Sequence, residues 1–202
     1  LKDRDDYIPA ALQYVTWDNK LWGIPYRIET HAVIFNKGDF AAAGLDPSKP
    51  PQTWDELVAA AEKLSANGKS GFAITGGGEV GNTIFRSLPF MWMAGGGIIS
   101  DDGKKVLVNS PESVKAVTFY TDFFKKKLSP ASTLENDGTA NRRLFIAEKV
   151  SMYQSGQFDV PSIRKENDKI DVGVMPIPHP EGGKTAAILG GWSLVVPSSA
   201  HN

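Results

Sequence analysis

The chain has 202 residues, 41% of them hydrophobic and 22% charged, with a formal net charge of −1. That length permits one domain or two small ones with a substantial core. The near-zero charge gives no reason to expect nucleic acid, no apolar run is long enough to span a membrane, and the absence of cysteine excludes disulfides, thiolate metal sites and a cysteine nucleophile.

In chain order, a weakly helical opening runs to about Asn19. Asp18-Asn19 with Lys20 then reads as a hairpin turn between residues 14–17 and 21–26. Residues 28–35 form a second extended run, and Gly44, Asp46, Pro47, Pro50 and Pro51 break the chain. Thr53 is placed to cap a helix, with Glu56 three residues on completing a capping box. Leu57, Ala60, Ala61 and Leu64 share one face of that helix, and Asn67-Gly68 stops it.

Residues 71–75 read as a short strand opening into Gly76-Gly77-Gly78, with no clear helix start behind it. The apolar stretch 84–99, interrupted by Pro89 and Gly95-Gly96-Gly97, reads as a helix ending at the glycines. Asp101-Asp102-Gly103 is a turn before an edge strand over 104–108. Ser110-Pro111 starts a helix whose buried face is expected at Val114, Val117, Thr121 and Phe124. A polar stretch 130–141 leads into a helix over 142–147, then a strand over 149–153. Ser155-Gly156-Gln157 opens a further helix, and strands follow over 170–174 and 192–196. Helices and strands alternate throughout, which argues for a layered α/β fold with no internal repeat.

Enzyme signatures are missing from this order. His31, His179 and His201 are scattered and fit no metal-ligand spacing, and no GxSxG elbow or GxxxxGK[ST] loop occurs. Gly76, Gly78 and Gly81 satisfy a bare GxGxxG spacing, but Glu79 would set a negative charge beside a phosphate. Binding chemistry is better represented. Arg27 and Glu29 share a strand face at i, i+2. They either pair with each other or leave Glu29 to accept from ligand hydroxyls, in charge-assisted bonds of roughly 1.5–3 kcal/mol each. Trp92 either packs in the core or lines a cleft. The turn at Ser155, Gly156, Gln157 and Phe158 can present backbone N–H groups to a polar ligand. Gly191 beside Trp192 lets backbone approach an aromatic face, and such faces with nearby acceptors suit sugars.

Seven segments in order resemble the carbohydrate-binding extracellular solute-binding proteins of ABC importers, the family that includes maltose-binding proteins. They are WGIPYRIETHAVIFNK, AGLDPSKPPQTWDELVAAAEKL, MAGGGIISDDGKK, VNSPESVKAVTFYTDFF, LFIAEKVSMYQSGQF, IDVGVMPIPHPEGG and GGWSLVVPSSA. The resemblance implies a periplasmic-binding-protein-like (type II) α/β fold of two lobes joined by hinge strands, with the first lobe incomplete. Residues 1–34 would belong to the first lobe and first hinge strand, 35–169 to the second lobe, and 170–202 to the second hinge strand and the return. It implies a ligand-binding set of Arg27, Glu29, Glu79, Arg86, Trp92, Ser155, Gly156, Gln157, Phe158, Gly191 and Trp192. Phe158 stands where many relatives carry Trp.

The implied role is binding a sugar or oligosaccharide between the lobes and delivering it to membrane permease subunits. It needs no cofactor, metal or nucleic acid. The protein would be monomeric and periplasmic or extracellular, with lipid anchoring as one route to retention. The family usually carries about a hundred residues before the position of Leu1 and a helical stretch after Asn202, so the chain reads as a fragment with an incomplete site. Three alternatives stay open: an anionic polyol such as glycerol phosphate bound through Arg27 and Arg86, a peptide ligand, and a glycoside hydrolase using Glu29 with Glu79.

Overall fold

The computed structural model describes residues 3–66 and 68–200; the expectations for Asn67 and His201 lie outside that range. The elements are α1 (Pro9–Tyr14), β1 (Thr16–Trp17), β2 (Lys20–Leu21), β3 (Ile24–Asn36), α2 (Lys37–Ala42), α3 (Trp54–Leu64), β4 (Ser70–Ala73) and α4 (Val80–Met93), then α5 (Pro111–Lys125), α6 (Gly138–Ile146), β5 (Val150–Gly156), α7 (Asp159–Glu166), β6 (Val172–Met175) and β7 (Leu189–Leu194). They divide into two compact units, unit 1 of residues 1–30 with 189–202 and unit 2 of residues 31–188. The family resemblance set lobe changes after residues 34 and 169; the compact units change at 30/31 and 188/189.

In unit 1, β1 and β2 form an antiparallel hairpin across Asp18 and Asn19, whose φ angles of 49° and 57° are those of a mirror-image two-residue turn. The strands are shorter than the sequence suggested. The first part of β3 pairs antiparallel with β7, with a bulge between Pro25 and Arg27. β3 is one continuous strand rather than two extended runs, because its first part finds a partner edge in β7 and its end finds edges in β5 and β6.

Unit 2 is built on a mixed sheet in the order β4-β5-β3-β6, in which β4 and β5 run parallel and the end of β3 pairs antiparallel with both β5 and β6. One core, on the α4 side of the sheet, holds Val33, Phe35, Phe72, Phe90, Met152 and Met175 together with Trp54 and Phe123 from the helices. The other, on the opposite face, holds Ile34, Phe145, Tyr153 and Ile163. The capping box forms as expected: Thr53 Oγ1 accepts from Glu56 N at 3.3 Å, and Glu56 Oε2 accepts from Thr53 N at 3.1 Å and Gln52 N at 2.7 Å. These backbone bonds hold the Glu56 carboxyl below its usual range.

Four local expectations are corrected. Residues 104–108 form no strand, and Val106 makes only an isolated bridge to Ile99 around the Gly103 turn. A helix does open behind the triple glycine, with Glu79 as its N-cap and Pro89 inside it. The triple glycine itself packs against residues 133–137, where a Cβ at Gly77 would collide with the backbone of Glu135. The face of α5 is displaced by one residue: Ser113, Ala116, Tyr120 and Phe123 are buried while Val114 and Val117 are exposed. Two polar groups carry that face inward by finding partners. Ser113 Oγ accepts from Gly97 N at 3.0 Å, and Tyr120 Oη accepts from Thr75 N at 2.9 Å. Burial pushes the Tyr120 phenol up to about 12, so it stays neutral. Lastly, Ser155 and Gly156 end strand β5, and the helix begins only at Asp159 with Phe158 as N-cap.

Candidate functional site

Unit 1 places four of the expected residues on a two-stranded ribbon. Arg27 lies opposite Trp192, Ile28 opposite Gly191 and Glu29 opposite Gly190. Directly opposed residues share a face, so Arg27, Glu29 and the Trp192 side chain stand on one side of the ribbon. Arg27 Nη2 lies 3.1 Å from Glu29 Oε2, with the two side chains 47% and 22% exposed. Trp192 is 66% exposed. Gly190 sets no side chain against Glu29. Gly191 is required for another reason: a Cβ there would strike the carbonyl oxygen of Arg27. The result is an exposed indole face beside a carboxylate oriented by a guanidinium.

Unit 2 places the others around the ends of β3 and β5. His31 pairs with Gly156 across the ladder. The rings of Phe85 and Phe158 each lie 6.3 Å from the His31 ring, tilted at 49° and 65°. Gly156 is what admits Phe158, since a Cβ would overlap its ring. Arg86 is buried on α4. Its Nη1 donates to Asn82 O at 3.0 Å and Asn82 Oδ1 at 3.1 Å, and its Nε donates to Gln154 O at 3.4 Å. Desolvation lowers its pKa, opposed mainly by Tyr120 and Asp159. Glu79 and Gln157 are exposed, and Trp92 is partly exposed two helical turns along α4 from Phe85.

Ser155 is buried and donates to Asp159 Oδ2 at 2.6 Å. Tyr153 Oη donates to the same oxygen at 3.0 Å, and Arg142 Nη1 to Asp159 Oδ1 at 3.0 Å. This buried network fixes the β5–α7 turn from the sheet face opposite α4. Burial, followed by Asp159, raises the Tyr153 pKa. The sequence reading passed over Asp159, Arg142, Gln154 and Phe85, and set His31 aside. The signal for Gln154 was available as a polar residue inside the apolar strand VSMYQSG. Asp159 and Arg142, seventeen residues apart, meet only through packing.

Among the described residues no group of three or more His, Asp or Glu is arranged to hold a metal ion, and no helix is long and apolar enough to cross a membrane. A cavity of about 610 Å³ in unit 2, lined by Pro50, Pro51, Pro176, Ile177, His179 and Thr185 among others, contains none of the residues above. It lies where the strand-like bridge between Thr53 and His179 closes a proline-rich loop against α3.

Comparison with known proteins is consistent across the chain. It is 32% identical over 209 residues to a probable amino-acid ABC transporter periplasmic-binding protein, y4oP, of Sinorhizobium fredii, covering 98% of this chain and 45% of that protein. It is 30% identical over 206 residues to the sn-glycerol-3-phosphate-binding periplasmic protein UgpB of Shigella dysenteriae, covering 96% and 45%. An ABC transporter solute-binding protein of Thermotoga lettingae, solved with α-D-tagatose bound, superposes with a TM-score of 0.86 at 34% identity, covering 96% of this chain and 50% of that one. The chain thus spans about half the length of the relatives it matches. Their names point to three different ligands at similar identity, so identity alone does not carry a ligand across. The fold is the α/β fold of type II periplasmic binding proteins, present in part. The profile of the bacterial extracellular solute-binding protein family matches residues 1–202, and the chain belongs to that family.

Proposed function

We propose that this chain is part of the substrate-binding component of an ABC importer whose solute is a neutral sugar or polyol. It is bound outside the cytoplasm without chemical change and passed to membrane permease subunits. The observation that supports this best is the unit 1 ribbon, where exposed Trp192 stands beside Glu29 with only Gly190 opposite the carboxylate. Sugar C–H faces stack on an indole, while hydroxyls donate to a carboxylate. Arg27 then orients Glu29 rather than neutralising an anion. In this reading Glu79, Arg86, Trp92 and the turn from Ser155 to Phe158 are unit 2's contribution, with Arg86 and Ser155 supporting from behind. β3 acts as a hinge strand, and solute shifts the whole protein toward its closed population. The protein is a monomeric binder rather than an enzyme, periplasmic or extracellular, and lipid-anchored where the source lacks an outer membrane.

The whole protein is expected to bind its sugar or polyol in the micromolar range, about −8 kcal/mol. Glu29→Gln should weaken that binding tenfold or more by calorimetric titration, with no release of reducing sugar by either form. A second reading, an anionic polyol such as sn-glycerol 3-phosphate, draws on the half-exposed Arg27 and the likeness to UgpB. It predicts the reverse order: Arg27→Gln abolishes binding and Glu29→Gln strengthens it. Response to amino acids or peptides alone would overturn both.

A further inference from the structure

Two buried side chains of unit 2 carry hydrogen-bonding capacity that no protein group uses. Gln154 is 3% exposed and neither its amide nitrogen nor its amide oxygen has a partner. His31 is 8% exposed and its Nδ1 is unpartnered. The β3–β5 register, Val33 opposite Gln154 and His31 opposite Gly156, makes the two diagonal neighbours on the α4 side of the sheet. An apolar residue at either place would spare the fold the cost of an unpaired buried group. Keeping a carboxamide and an imidazole together at the strand ends, beside residues already assigned to solute binding, points to a partner from outside the chain.

We propose that Gln154 and His31 form a hydroxyl-recognition subsite of unit 2, which takes a neutral sugar or polyol and is screened from water by the rings of Phe85 and Phe158. The subsite rests on the reading of the chain as a solute-binding protein and specifies the ligand class it takes. A carboxamide offers one donor group and one acceptor, which matches a hydroxyl, itself both. The charged groups facing His31 are already engaged: Arg86 on α4 by Asn82 and the Gln154 carbonyl, and Asp159 on α7 by Arg142, Tyr153 and Ser155. Burial, reinforced by Arg86 and opposed by Asp159, pushes the imidazole down to about 4, so it is uncharged at neutral pH. A phosphate would find neither a free countercharge nor a protonated histidine. The Phe85 and Phe158 rings each lie 6.3 Å from the imidazole.

The test uses the whole protein with D-tagatose, D-mannitol, D-glucose and sn-glycerol 3-phosphate as probes, titrated calorimetrically against wild type, Gln154→Leu, His31→Phe and Glu29→Gln. Removing an unpaired buried polar group should leave the Tm of the unliganded variants unchanged or higher. Affinity for the sugar or polyol that wild type binds should nevertheless fall about tenfold in both, and wild-type affinity should stay level from pH 5 to 8. Affinity kept within twofold in both variants, while Glu29→Gln loses it, overturns the subsite and leaves the solute-binding reading intact. Wild type that binds only sn-glycerol 3-phosphate overturns the choice of a neutral solute itself. A measurement without substitution runs alongside: on saturation with the bound sugar, the Gln154 side-chain amide and His31 Hε1 resonances should shift, and unmoved resonances overturn the subsite.

Discussion

The two units use aromatic residues in opposite ways. Unit 2 buries Phe35, Phe40, Trp54, Phe72, Phe90 and Phe123, with Trp54 stacked on Phe119 at 4.1 Å and Phe72 edge-on to Phe123 at 5.0 Å. Unit 1, among its described residues, buries only Ala11 and Val15 of its hydrophobic side chains, and leaves Trp17, Trp22, Tyr26 and Trp192 exposed. Unit 2 therefore has a core of its own, whereas unit 1 has little apolar burial to resist local opening. Aromatic supply, generous throughout the sequence, does not by itself say where a core is. Burial on both faces of a sheet does.

The largest expected effect belongs to unit 2. Phe72→Ala removes a fully buried ring from β4 and should cost about 3–5 kcal/mol in urea unfolding of the whole protein; a loss below about 1 kcal/mol would mean that this core is not the stabilising one. An intermediate effect comes from His31, the first residue of unit 2. Its folded pKa of about 4 lies below the ordinary 6.5, so the unfolded chain binds more protons between those values. Stability should rise with pH across that window, and the fold should lose up to about 3 kcal/mol between pH 7 and pH 4. His31→Phe should flatten this acid slope, and an unchanged slope in the variant would assign it to other groups. The smallest effect is expected in unit 1, where Trp22→Ala on an exposed ring should change stability by less than about 0.5 kcal/mol. A large loss there would erase the contrast between the units.

Much of the fold was legible because the signals were local. Thr53 with Glu56 forms its capping box, Asp18-Asn19 makes its turn, and Ser110-Pro111 starts its helix, since each depends on backbone groups within a few residues. The misread face of α5 shows the limit of such signals. Val114 and Val117 looked like the buried stripe on hydrophobicity, but Ser113 and Tyr120 went inward because Gly97 and Thr75, distant in sequence, supplied their hydrogen bonds. The failed strand over 104–108 has the same origin, for a strand needs a neighbouring edge and this segment finds a single isolated bridge, Val106 to Ile99.

The candidate site divides along the same line. The sequence alone established Arg27 and Glu29 on one strand face, the glycine beside Trp192, and the polar turn after β5, because alternation and glycine chemistry are properties of short segments. Only tertiary structure decided that Trp192 stands across from Arg27, that Arg86 is spent on Asn82 and Gln154, and that Asp159 gathers Arg142, Tyr153 and Ser155. It also decided that His31 and Gln154 are buried diagonal neighbours across the β3–β5 ladder, with the Phe85 and Phe158 rings beside the imidazole. Strand register and helix packing bring these groups together from as far apart as Arg27 and Trp192, near opposite ends of the sequence. No local pattern encodes that distance, since it is set by which surfaces can be buried together.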